Sequence, residues 1–190
     1  ANQIGLPTSE QQRAQLKAQD FYLNLRDRPS RYFAGSARLA DPMLCMLDRI
    51  TACDLSVENP FLRGEKDVDP EEWFFKAHFF QDPVQPGSLG IEAMIQLLQF
   101  YMLHTGMDKD FAVPVFEPLA LQRSHKWRYR GQVVPENKLI TTTMEIMETG
   151  RDEKGVYALA NTSLWVDGKR IYEAIALGMR IVEKRQTKSI

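Results

Sequence analysis

One stretch constrains this chain more than any other. In residues 88–104, SLGIEAMIQLLQFYMLH, the apolar side chains Leu89, Ile91, Met94, Ile95, Leu97, Leu98, Phe100, Met102 and Leu103 fall on every side of a helix. A helix with no polar face has to be covered all round, so the remaining chain must wrap it. At 1.5 Å per residue it is about 25 Å long. The run is shorter than the roughly 20 apolar residues that span a bilayer. Glu92, Gln96 and Gln99 also interrupt it. It reads as the buried centre of a soluble domain, and no membrane partner is expected.

The material for the wrapping follows Gly106. Residues 119–134 contain KWRYRGQVV, where charged and aromatic residues alternate, and residues 138–149 (KLITTTMEIMET) are rich in β-branched side chains. Both patterns suit strands. RDEKG then reads as a turn, and residues 155–166 and 169–182 flank Asp167-Gly168, a strong hairpin signal. Upstream, residues 43–56 read as one long strand or as a short turn followed by a strand. Residues 57–72, charged and punctuated by Pro60, Gly64 and Pro70, read as loops. About five or six strands, mostly antiparallel, therefore surround one helix, which is an α+β class of fold.

The first 40 residues read differently. Ser9 and Gln12 have capping-box spacing, and Leu16, Phe21, Leu23 and Leu25 make a loose apolar stripe, so 9–25 is expected to be helical. Pro29 ends it and 26–40 read as linker. The expected organisation is 1–40 as an N-terminal arm or interdomain linker with a helix, 41–183 as the domain, and 184–190 as a polar tail. The chain starts on Ala rather than Met and carries no apolar signal core. A processed protein and a domain cut from a longer chain both fit that start.

Composition removes several function classes. Lys and Arg number 24 against 25 Asp and Glu, for a net charge of -1, so a generally basic nucleic-acid binder is excluded. Two cysteines, Cys45 and Cys53, are too few for a disulfide scaffold and suit a reduced, cytoplasmic setting. No CxxC, HExxH or HxH spacing occurs, so no metal site is expected.

Three histidines remain for chemistry: His78, His104 and His125. His104 and His125 have no partner pattern and read as structural or exposed. His78 lies in the aromatic run WFFKAHFF and is followed by DPVQPG. A lone histidine there is ordinarily a satisfied core residue, and Glu92 ordinarily reaches solvent at a bend. Together they mean more, because Pro86-Gly87-Ser88 leads straight into the helix. Gly at a helix start lets a ligand approach exposed backbone N–H groups, and the helix dipole favours negative charge there. The segment thus offers a base (His78), an oxyanion site (the Gly87 N–H) and an acid (Glu92). Ser88, Glu92 and Gln96 share a helical face, so Ser88 and Gln96 are expected to orient the carboxyl group.

WFFKAHFFQDPVQPGSLGIEAM resembles the active-site signature of the bacterial β-hydroxyacyl-thioester dehydratases of the hot-dog fold, most closely the β-hydroxydecanoyl-thioester dehydratase/isomerase branch. The likeness extends upstream to Pro42-Met43-Leu44 and Met46-Leu47-Asp48-Arg49. Downstream it takes in Tyr129-Arg130-Gly131-Gln132-Val133 and Val166 to Tyr172, so it covers about residues 40–183. It implies a hot-dog fold, with a long central helix wrapped by an antiparallel sheet. It also implies His78 as base, Glu92 as acid, Gly87 as oxyanion donor, the Val84 carbonyl orienting the histidine ring, and Gln96 supporting the carboxylate. The family's site lies across a homodimer interface.

The implied reaction is dehydration of (R)-3-hydroxyacyl thioesters to trans-2-enoyl thioesters in fatty-acid or polyketide synthesis. The substrate is carried on the phosphopantetheine arm of an acyl carrier protein, with no cofactor of the enzyme's own. The aromatic cluster Trp73, Phe74, Phe75, Phe79 and Phe80 is either acyl-channel lining or plain core. Lys126, Arg128 and Arg130 alternate on one strand and form a docking face for an acidic carrier protein, or an ordinary solvated face. Two departures matter. The dehydratase/isomerase branch has Asp at the position of Glu92 and Cys at that of Ser88, whereas Glu is usual in the pure dehydratase branch. Dehydration is therefore the expectation. Alternatives are trans-2/cis-3 enoyl isomerase activity, a hot-dog thioesterase, and a silent acyl-binding domain. The wording further resembles dehydratase domains of polyunsaturated fatty-acid and related polyketide synthases.

Overall fold

The computed structural model describes residues 21–117 and 124–184. In chain order the elements are β1 (Leu23–Asn24), α1 (Ser30–Phe33), a 3-10 turn (Pro42–Leu44), β2 (Arg49–Asp54), β3 (Phe61–Asp67) and α2 (Trp73–Ala77). Then follow α3 (Gly87–His104), β4 (Pro114–Glu117), β5 (Lys126–Tyr129), β6 (Leu139–Arg151), β7 (Gly155–Val166) and β8 (Lys169–Glu183). The strands form one sheet in the order β1-β2-β3-β6-β7-β8-β4, with β5 pairing the other half of the same β8 edge. Every pairing is antiparallel. α3 packs against β3, β6, β7 and β8, and Met94, Leu97, Leu98, Phe100, Met102 and Leu103 are fully buried. The apolar helix is thus covered as its composition requires: this is the hot-dog fold.

The β7–β8 hairpin turns on Asp167-Gly168, both at positive φ (50° and 82°). This is the backbone twist that a two-residue hairpin needs. The Asp167 carboxylate also accepts from the Lys138 and Leu139 N–H groups (3.0 and 2.9 Å), which ties the turn to the start of β6. Further along β8, a register shift opposite Asn161 leaves Ala176 in a bulge at φ 59°. The Asn161 side chain accepts from the Ala176 N–H at 3.1 Å and holds the bulge.

Four readings of the sequence change. Within 57–72, expected as loops, residues Phe61–Asp67 form a strand inside the sheet, paired on both sides. Its charges alternate with buried positions and form a cross-strand ladder: Arg49 donates to Glu65 (2.9 Å) and to Asp67 (2.8 and 2.9 Å), and Arg63 donates to Thr51 (2.6 Å). The hydrogen bonds from Arg49 hold the Asp67 carboxyl below its usual range. Charge density had masked the period of two. Gly64 sits where the strand meets Leu47 and Leu97: a Cβ there would lie 2.8 Å from Leu47 Cδ2.

Residues 26–40, expected as linker, instead contribute Tyr32, Phe33, Ala37 and Leu39 to the core, and Leu25 is buried with them. Short turns, not a periodic element, bury each of these side chains, so no pattern announced them. Of the helix expected over 9–25, residues 9–20 lie outside the described residues, and Leu23–Asn24 pair with β2 as a strand. Finally, 119–134 supplies only Lys126–Tyr129 as strand among the described residues, while Pro114–Glu117 forms an edge strand with β8 that no sequence pattern marked. Residues 43–56 take the second of the two readings, a 3-10 turn and then β2.

Candidate active site

His78 caps the C-terminal end of α2. That short helix is anchored by Phe74 and Phe75, both buried, and by the Trp73 indole N–H, which donates to the Met43 carbonyl at 2.9 Å. After His78 the chain reverses at Gln81 (φ 58°). Val84 is then buried, and its carbonyl oxygen lies 3.0 Å from His78 Nδ1. A carbonyl can only accept, so Nδ1 carries the proton in this contact. The next residue, Gln85, donates its N–H to the Val133 carbonyl at 3.0 Å, which fixes the loop to the sheet side of the domain.

The loop delivers the chain to α3. Pro86 occupies the N-cap, and no side chain caps the helix. The first N–H groups of a helix have no partner inside it, so the Gly87 end of α3 is a donor-rich, positively polarised site. One turn on, Glu92 is half-buried. Gln96 is fully buried and donates to Glu92 Oε1 at 2.8 Å and to the Leu44 carbonyl at 2.7 Å. The Gln96 carbonyl oxygen accepts from the Met46 N–H at 2.7 Å. Gln96 thus links the carboxylate to the chain ahead of β2. Ser88 is exposed and makes no side-chain hydrogen bond among the described residues, so the shared helical face does not bring it to Glu92. Spacing put Ser88 on the right face, but solvent holds it.

The other expectations sort as follows. The aromatic cluster divides: Phe74 and Phe75 are core, whereas Trp73, Phe79 and Phe80 are exposed, Phe80 to 91%. The His78 and Phe79 rings lie 4.0 Å apart. His104 bonds the Tyr32 hydroxyl through Nδ1 at 2.8 Å, stacks on Phe100, and is held below its usual pKa by burial. It is structural, and His125 is exposed. Lys126, Arg128 and Arg130 are all exposed on or beside β5, and Arg128 pairs with Glu173 across the strand pair. Burial raises both cysteine thiols, Cys53 to about 11. Among the described residues no cluster of three metal-ligating side chains occurs, and no helix is long and apolar enough to cross a membrane.

Sequence reasoning missed two tyrosines. Tyr129 on β5 and Tyr172 on β8 are direct cross-strand partners whose rings lie 4.8 Å apart, tilted by 35°. Both press on the first turn of α3. A Cβ on Gly87 would lie 2.8 Å from Tyr129 Cε2, and one on Gly90 would lie 1.8 Å from Tyr172 Cε2. A glycine inside a helical pattern was the available signal, since it marks close approach.

The single antiparallel sheet wrapped on one long helix places the chain among hot-dog domains. Residues 39–175 match the FabA-like domain, and the chain belongs to that family. One component of the polyunsaturated fatty acid synthase of Thraustochytrium sp. is 32% identical over 120 residues, 62% of this chain. The chain spans only 8% of that curated relative's length. Among solved structures, the dehydratase heterocomplex ApeI:P from Xenorhabdus doucetiae has the same fold, with a TM-score of 0.53 at 14% identity over 78% of this chain and 89% of that one. A mutant thioesterase from Pseudomonas aeruginosa overlays with a TM-score of 0.44 at 13% identity over 68% of this chain and 79% of that one.

Proposed function

We propose that this domain dehydrates (R)-3-hydroxyacyl thioesters, held on the phosphopantetheine arm of an acyl carrier protein, to trans-2-enoyl thioesters. One observation carries the reading. Two groups suited to the two proton transfers, His78 tethered by Val84 and Glu92 tethered by Gln96, belong to the chain that enters and forms the uncapped start of α3.

The reaction needs a base, an acid and a stabiliser of negative charge. His78 Nε2 takes the C2 proton, and charge grows on the thioester oxygen. The Gly87 N–H meets that charge, an effect worth roughly 3–4 kcal/mol per donor elsewhere. The C3–O bond breaks as Glu92, in its carboxylic acid form, gives its proton to the departing hydroxyl. C2 and C3 become doubly bonded, water leaves, and the proton on His78 returns to Glu92 through solvent or product release. The elimination is redox-neutral and its two proton transfers fall to side chains of the protein, so the chemistry calls for no metal or redox cofactor. In this reading the domain works as a homodimer, His78 of one protomer facing Glu92 of its partner. The Lys126, Arg128 and Arg130 face receives the acidic carrier, and the parent assembly is a cytoplasmic polyunsaturated fatty-acid or polyketide synthase. Support comes from the family match and from the synthase relative.

The test is product mass. A carrier protein loaded with a 3-hydroxyacyl chain should lose one water when the domain is added. Release of free acid would identify a thioesterase, a 3-enoyl product an isomerase, and an unchanged chain a silent domain; each would overturn the assignment.

A further inference from the structure

The first turn of α3 carries more than the Gly87 amide. Tyr172 is 1% exposed, and among the described residues its hydroxyl makes no well-formed hydrogen bond: the Tyr129 side chain is the group it interacts with, short of good geometry. Leaving such a group unpaired is costly, and native proteins usually satisfy it. The ring lies against Gly90, so closely that a Cβ there would fall 3.0 Å from the ring carbon that bears the hydroxyl. The orphan hydroxyl therefore sits beside the helix start. A second orphan flanks the same place: both polar atoms of the buried Gln85 side chain, one residue before the Pro86 N-cap, are also without partners. Over Tyr172 lies Tyr129, which is 43% exposed and whose ring also covers Gly87. One side chain, Tyr129, thus packs both on Gly87 at the helix start and on the Tyr172 ring and hydroxyl, and it has room to move toward solvent.

We propose that the Tyr172 hydroxyl is a second donor to the thioester carbonyl oxygen, alongside the Gly87 N–H, and that the Tyr129 ring swings outward to admit that oxygen. The inference rests on the dehydratase reading above for the identity of the ligand. Burial, and after it the nearby Tyr129, raise the Tyr172 phenol well above its ordinary value, so it keeps its proton and can donate throughout the working pH range. A neutral donor next to a helix N-terminus suits an oxygen that gains negative charge. The glycines at 87 and 90 are then required twice over, once for backbone approach and once to seat the two rings.

Tyr172→Phe tests this, because it removes one oxygen and keeps the ring. The variant should melt at or above the wild-type temperature, since a buried unsatisfied hydroxyl is lost. Its kcat on a 3-hydroxyacyl-pantetheine should nonetheless fall by about 100-fold, the size of effect seen when one oxyanion donor is removed, while KM rises by no more than about fivefold, the worth of the hydrogen bond to the ground-state carbonyl. A binding measurement separates this from the reaction itself. Affinity for a trans-2-enoyl pantetheine thioester should fall by about fivefold, the worth of one neutral hydrogen bond. Affinity for the matching thioether, which lacks the carbonyl, should not change. Turnover within threefold of wild type, or equal losses for thioester and thioether, would overturn the proposal. A wild-type protein that binds the thioester in this Tyr172-dependent way and yet dehydrates nothing would sink the dehydratase reading and leave the carbonyl contact standing.

Discussion

Gly90→Ala is the sharpest structural perturbation available at the helix start. In an ordinary helix interior the change stabilises by about 1 kcal/mol. Here the added methyl would stand 1.8 Å from Tyr172 Cε2 and 2.5 Å from Cδ2. Carbon atoms rest at about 3.5–4.0 Å, so the ring has to retreat by roughly 2 Å. Tyr172 is 1% exposed, packed on Tyr129 at 4.8 Å and edge-on to Trp127 at 6.2 Å, which closes its way out. Overpacking of a well-filled site costs typically about 1–3 kcal/mol. Taking the upper value for so short a contact and subtracting the helix gain leaves a net loss of about 2 kcal/mol. For a chain of this size that is a fall of about 4–8 °C in Tm. Gly87→Ala is the control. Its methyl would meet Tyr129 at 2.8 Å, but that ring is 43% exposed and can turn aside, so its stability should stay near wild type. Urea unfolding followed by circular dichroism, at one fixed protein concentration, reads both. If Gly90→Ala is as stable as wild type, or if the two alanines cost the same, the packing argument is wrong. In a Tyr172→Ala background, itself destabilised by the lost ring, Gly90→Ala should cost less than it does in the wild-type protein, as contacting residues do in a double-mutant cycle.

Other predictions follow from the same contacts. Gln96→Leu leaves the Met46 N–H buried without its partner and removes the hydrogen bonds to the Leu44 carbonyl and Glu92, and should cost about 2–4 kcal/mol by urea unfolding; a change below about 0.5 kcal/mol, the low end for a single hydrogen bond, would contradict that bonding. The Cys53 thiol, raised by burial to about 11, should react slowly with a thiol reagent at pH 8 and speed up only as the pH approaches that value, because the thiolate is the reactive form; fast labelling at pH 8 would count against the burial. Mixing inactive His78→Ala and Glu92→Ala chains should restore about a quarter of wild-type turnover, since half the dimers are mixed and each has one intact site; no recovery after the protomers have exchanged would exclude a site shared between them.

The parts of the molecule that were legible in the sequence are those where one local rule acts alone. The all-round apolar helix could only be a centre, and Asp167-Gly168 needs positive φ at both positions, so the helix and the main hairpin both appear where the pattern placed them. His78 and Val84, and Glu92 and Gln96, lie close together along the chain, and a short-range hydrogen bond joins each pair. Elements failed to show where two rules compete. In Phe61–Asp67 the charges Arg63, Glu65 and Asp67 that suggest a loop share one face of a strand, while Lys66 is buried on the other and paired with Glu72, and only the partner strands β2 and β6 make that visible. Residues 26–40 bury their apolar side chains one at a time, with no period to detect.

Tyr172 was hidden for a different reason. It occupies an ordinary apolar position on a strand, and its meaning depends on which helix turn it meets across the core. Gly90 carried the complementary half of that information within α3, where a missing side chain is as informative as a present one. Reading the two together changes what the helix start is. With Gly87 alone it is a polarised backbone end that any anion would favour. With Tyr172 behind it and Tyr129 over it, the same turn has a defined depth and a side chain that must move before an oxygen can enter. The sheet therefore does more than cover the helix: β5 and β8 supply the groups that decide what reaches its first turn.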